Sequence, residues 1–157
     1  MSDEQGQPEV SRARVMVLHG PNLNLLGHRE PHIYGATTLV EIDASLVVLG
    51  EKLGVVVECF QSNHEGVLID RLHQARITHQ AVLFNPGGYT HTSVALHDAI
   101  KAIGIPVVEV HLSNTSAREE FRHRTVTGAA CVGRIEGFGP ESYRLALEWV
   151  ARRLNGA

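Results

Sequence analysis

The sequence predicts a single α/β domain built on an open, five-stranded parallel sheet with helices on both faces. Three observations predict it. Short apolar runs alternate with amphipathic stretches from residue 14 to residue 154, and strand alternating with helix means parallel strands joined by right-handed crossovers. The run VVVECF is β-branched and nearly continuous, as a strand covered on both faces should be. The 157 residues suit one domain of this kind, whereas an eightfold barrel needs about 250.

The first strand is expected at residues 14–18 (RVMVL). Residues 38–53 place Leu39, Ile42, Leu46, Leu49 and Leu53 at helical spacing. The second strand is residues 55–60, and a helix over 65–77 aligns Leu68, Leu72 and Ala75. Residues 81–84 form the third strand, and a helix over 93–103 follows with Thr92 or Ser93 as its cap. The fourth strand is 106–110 and the fifth 130–135; a helix over 140–154 closes the chain with proline near its first turn. The arrangement fits a flavodoxin-like open sheet. Residues 1–13 read as a polar, mobile tail before the single α/β domain, residues 14–157, and carry no apolar core of a signal peptide.

Composition narrows the function. Hydrophobic content of 43% and charged content of 20% describe a globular chain, not a disordered one. A net charge of −3 argues against a nucleic-acid partner. No apolar run reaches the ~18 residues of a membrane helix. Cys59 and Cys131 sit in apolar runs and read as buried thiols, which favours a reducing cytoplasm. The ten histidines are scattered, with no His-Glu-x-x-His pair, so no metal site is expected. Walker, Gly-x-Gly-x-x-Gly and Gly-x-Ser-x-Gly motifs are absent as well.

Ligands of open parallel sheets bind beyond the carboxyl ends of the strands, which selects the segments after strands one to four. The first, residues 19–35 (HGPNLNLLGHREPHIYG), is long for a strand–helix connection. It carries Asn22, Arg29 and Tyr34, and reads either as a lid or as a surface loop with a solvated arginine. Residues 85–93 (NPGGYTHTS) offer glycines for close backbone approach and His91 before a helix, with Asp98 about two turns on; a plain glycine turn with a cap is the alternative. On strand four, Glu109 and His111 point to one side, where His111 can exchange protons and Glu109 can hold its ring. Arg118 and Arg122 share a face if residues 116–121 are helical. A hydrogen-bonded histidine and a salt-bridged helix is the alternative there.

Together the segments GPNLNLLGHREPHIYG, FQSNHEG, FNPGGYTHTSVALHDAI and VVEVHLSNTSAREEFR make the chain resemble the type II 3-dehydroquinate dehydratases over about residues 14–154. That resemblance implies a flavodoxin-like fold, no cofactor and a homododecamer built from trimers. It also implies anti elimination of water from 3-dehydroquinate through an enolate, in the shikimate pathway or quinate catabolism. By motif, Tyr34 would be the proton acceptor, Arg29 its transition-state partner, and Asn22 an enolate stabiliser acting through water. His111 would be the proton donor, oriented by Glu109. Asn85, His91, Asp98, Leu112, Ser113 and Arg122 match substrate-binding positions, while Arg118 matches the motif without an assigned contact. His19 stands where other members carry asparagine.

The physics agrees with these roles. Bringing a tyrosine from ~10 to ~8 needs about 2.7 kcal/mol, and one arginine at ~4 Å supplies up to ~4 kcal/mol at an effective dielectric of ~20. The lysines, Lys52 and Lys101, fall near helix C-termini rather than strand ends, which argues against a lysine imine. A non-catalytic receiver module is the alternative, but it would need acidic residues where His19-Gly20-Pro21-Asn22 and Asn85-Pro86-Gly87 stand.

Overall fold

The computed structural model describes residues 11–156, apart from the side chain of Tyr34. Residues 1–10 of the expected tail lie outside the described residues. Arg12 precedes β1 (Ala13–His19), so the strand begins one residue earlier than the sequence suggests. Helix α1 (Pro31–Tyr34) and helix α2 (Leu39–Leu53) follow, then β2 (Val55–Gln61), α3 (Glu65–Thr78), β3 (Ala81–Asn85), α4 (Val94–Ile103), β4 (Val107–His111), β5 (Gly133–Glu136) and α5 (Glu141–Leu154).

The five strands pair in parallel in the order β2-β1-β3-β4-β5. Alternation along each strand divides the core. Val15 and Val17, Ala81 and Leu83, and Val108 and Val110 face α2 and α5. Met16 and Leu18, Val82 and Phe84, and Val107 face α3 and α4. The expected two-sided sheet is therefore observed.

Helix ends follow local chemistry. Thr38 and Glu41 form a reciprocal capping box at the start of α2, which satisfies two otherwise orphaned N–H groups. Ser93 accepts from the Leu96 N–H at 2.9 Å to start α4.

Four expectations change. The first loop is not structureless: residues 23–25 form a 3₁₀ turn, and Pro31, preset for a first helical position, starts the single turn of α1. No helix spans 116–121. Thr115–Ala117 and Glu120–Arg122 are separate 3₁₀ turns, broken where Arg118 is extended. The fifth strand begins at Gly133 rather than residue 130, because Gly128–Ala130 is itself a 3₁₀ turn. Cys59 and Cys131 are free but half-buried rather than fully buried.

Candidate active site

The chain reverses its direction of travel across the sheet between β1 and β3, and crevices open at such a switch. Here the loops after β1 and β3 interlock. The Gly20 N–H donates to the Asn85 carbonyl at 2.7 Å. A Cβ at Gly20 would overlap the Pro86 carbonyl, and Gly87, at φ 59°, lies against Pro21. Glycine is thus required at both positions, by contact at one and by conformation at the other.

A cleft of about 130 Å³ opens above this junction. Asn22 and Arg29 line it from the first loop; Asn85 and His91 line it from the third. His111, Leu112, Ser113 and Arg122 come from the segment that ends β4. The fold therefore gathers eight of the residues that the sequence nominates. Tyr34 ends α1, but its side chain lies outside the described residues. Glu109 lies beneath His111 rather than on the cleft wall. Asp98 is not brought to this cleft: its side chain is 72% exposed on α4, bonded to His97 Nδ1 at 3.1 Å.

Glu109 is fully buried, and its carboxylate is surrounded by donors. Oε1 accepts from Thr90 Oγ1 at 2.9 Å and from Thr127 Oγ1. Oε2 accepts from Arg134 Nε at 2.7 Å and Thr125 Oγ1 at 3.1 Å. His111 Nε2 lies 3.2 Å from Oε2, at ion-pair distance but outside hydrogen-bonding alignment. Burial pushes the Glu109 carboxyl up, but His111 and the threonine hydroxyls outweigh it and hold the group at about 2. Glu109 therefore stays ionised beneath the ring. With Nε2 turned to Glu109, Nδ1 is the ring nitrogen left for the cleft.

The other polar groups are also preset. His91 Nδ1 bonds the Arg124 carbonyl at 2.7 Å; as a carbonyl only accepts, Nδ1 is the donor of this bond. Arg122 Nε bonds Glu119 at 2.6 Å and its guanidinium stacks on Phe121. Arg29 pairs with Glu30 at 3.1 Å. Asn22 sits at φ 67°, in the left-handed region, and its N–H donates to Asn63 Oδ1 at 3.0 Å.

Several contributors escape sequence reasoning. Asn63 and Gln61, whose Nε2 donates to the Gly20 carbonyl and to Asn63 Oδ1 at 3.1 Å, brace the Asn22 turn. Both lie in the FQSNHEG segment, but no spacing rule gives them a partner 41 residues away. Arg118, given no contact from sequence, lines the cleft and donates to Ser113 Oγ at 3.4 Å.

His19, Asp43 and Cys59 bring one possible ligand atom each within 4.8 Å of the others. Burial, with the Asp43 carboxylate alongside, pushes the Cys59 thiol far up, so it stays protonated. As they stand, these residues form a hydrogen-bonded cluster. Among the described residues no helix is long and apolar enough to cross a membrane.

Residues 13–151 match the family described as class II dehydroquinase. The chain is 59% identical over 143 residues to a 3-dehydroquinate dehydratase of Desulforudis audaxviator, covering 88% of this chain and 95% of that protein. It is 54% identical over 142 residues to one from Nostoc, covering 90% and 97%. Its fold is similar to the crystal structure of a type II dehydroquinase from Propionibacterium acnes. That likeness has a TM-score of 0.86 at 43% identity and covers 90% of this chain and 99% of that one.

Proposed function

This chain belongs to the class II dehydroquinase family, a family of hydro-lyases, and we propose that it converts 3-dehydroquinate to 3-dehydroshikimate by stepwise anti elimination through an enolate. Tyr34, as tyrosinate, removes the proton alpha to the ketone. Arg29 favours the charged phenolate and the charge of the transition state. The electron pair left by the C–H bond passes into the ketone as an enolate, which Asn22 stabilises through a water. On collapse of the enolate the C–O bond breaks, and His111 gives the departing hydroxyl its proton, so that water leaves. Glu109 orients His111. Asn85, His91, Leu112, Ser113 and Arg122 bind the substrate. No electrons are gained or lost overall, and no lysine imine is formed.

One observation carries this reading. His111 enters the cleft from β4 above a buried carboxylate at 3.2 Å, while Arg29 enters it from the loop after β1. Acid and base machinery thus arrive on separate elements, as two proton transfers at different positions on one ring require.

The assembly is proposed to be a homododecamer, a tetramer of trimers. Light scattering should give a mass near twelve chains; a stable, active monomer would remove that part.

The deciding assay is turnover of 3-dehydroquinate by the purified protein with EDTA present, followed by absorbance of the conjugated enone product. Turnover that borohydride abolishes only when substrate is present would refute the imine-free route.

A further inference from the structure

Behind Asn85 runs a buried chain of hydrogen bonds that the proposed chemistry does not use. Asn85 Nδ2 lies 3.0 Å from the Tyr143 hydroxyl. That hydroxyl lies 2.9 Å from His19 Nδ1, and His19 Nε2 lies 2.7 Å from Asp43 Oδ1. His19 and Tyr143 are fully buried and Asn85 nearly so. The four residues come from β3, α5, β1 and α2.

The direction of every bond in this chain follows from its end. A carboxylate only accepts, so His19 Nε2 carries the proton and donates to Asp43. Because the Tyr143 oxygen meets the Asn85 amino group, its own proton is directed to His19 Nδ1, the acceptor on that side. The Tyr143 oxygen is left to accept from Asn85 Nδ2. At the far end the Gly87 N–H donates to Asn85 Oδ1 at 3.1 Å, which fixes the amide the same way round. The Asn85 carbonyl oxygen and one of its N–H groups are both engaged inside the protein. The group left for the cleft that Asn85 lines is the second N–H.

We propose that Tyr143, polarised by His19 and Asp43, is a positioning residue that makes Asn85 present its second N–H as a donor to an oxygen of the bound substrate. A flipped Asn85 would set its amino group against the Gly87 N–H. It would also need the Tyr143 proton, leaving a bare His19 nitrogen against the Asp43 carboxylate. The proposal rests on the reading of the cleft as the dehydroquinate site.

Solid-state 15N spectra of histidine-labelled protein, with His19→Gln to assign the signal, should place the His19 proton on Nε2. Tyr143→Phe keeps the buried ring and removes only the hydroxyl. It should raise KM about 3–10-fold, the worth of one neutral hydrogen bond, with kcat little changed. Asn85→Ala should behave alike, and the double variant should be no worse than Asn85→Ala alone. Asp43→Asn, which frees the polarity without touching the cleft, should raise KM in the same sense and stands in if Tyr143→Phe does not fold. A merely structural Tyr143 would lower the melting temperature and add independently to Asn85→Ala. A proton on Nδ1, an unchanged KM or additive effects would overturn the proposal. If the unaltered protein does not turn over 3-dehydroquinate, the functional reading falls, while the 15N measurement still decides the direction of the relay.

Discussion

Glu109→Gln tests the buried carboxylate under His111 at nearly constant shape. The orientation that faces the new amino group toward Thr90 and Thr127 is tolerable, because hydroxyls rotate to accept. The opposite orientation sets it against Arg134 Nε, a donor. The variant therefore keeps the packing and loses the charge. The magnitude follows from the carboxyl's fall from 4.5 to about 2 in the folded protein, worth about 3 kcal/mol in favour of the ionised form.

The sign is set by linkage. A carboxyl whose folded value is depressed contributes stability that is fully present above 4.5 and lost as pH falls toward 2. The contribution is about 3 kcal/mol at pH 7 and about 1.4 kcal/mol at pH 3. Denaturant titrations of both proteins at matched chain concentration and ionic strength, at pH 7, 5 and 3, should show the variant less stable at pH 7 and the gap closing on acidification. At pH 7 the melting temperature should fall by roughly 6–12 °C. A gap that is independent of pH, or that widens in acid, would refute the argument that Glu109 is held ionised by its donors.

Three further outcomes are expected. Tyr34→Phe should lower kcat by orders of magnitude with KM within a few-fold, since the hydroxyl matters in the transition state; full kcat would end its role as base. His111→Ala should lose about 10²–10⁴ in dehydration yet still exchange the alpha hydrogen with solvent by NMR, and near-normal turnover would remove it as the acid. Gly20→Ala forces a methyl against the Pro86 carbonyl; it should cost about 1–3 kcal/mol of stability and lower kcat/KM, and an unchanged enzyme would show that the two loops can separate freely.

The layout was legible in the chain because its signals are local. Helix α2 announces itself by Leu39, Ile42, Leu46 and Leu49 on one face, all buried as the spacing requires. The strand-end rule then located the loops, and the motif match placed Asn22, Arg29, Asn85, His91, His111, Leu112, Ser113 and Arg122, which line one cleft. What escaped is long-range. Nothing in the spacing of Thr90, Thr125, Thr127 and Arg134 reveals that all four converge on Glu109. Nor does anything announce that Tyr143 of α5 reaches under β1 and β3 to meet His19 and Asn85. Arg118 and Arg122 were expected to share a helix face if residues 116–121 were helical; they line one cleft instead from an extended residue and from the 3₁₀ turn that follows it.

The division of labour across the sheet has a physical basis. His111 and Asn85 end adjacent strands, β4 and β3, whose backbone registers with its neighbours. Their side chains are further fixed by a carboxylate at 3.2 Å and a tyrosine hydroxyl at 3.0 Å. Tyr34 is carried on one turn of helix entered through Glu30 at φ 39°, outside the sheet altogether. An acid must be held with its charge already compensated, which a buried strand end can do. A base acting on a carbon acid must approach a substrate that has first entered the cleft, which a wall built into the sheet cannot do. The parallel order that sets β1 beside β3 and β3 beside β4 thus lets the proposed acid sit on the sheet while the proposed base is carried on a separate loop element.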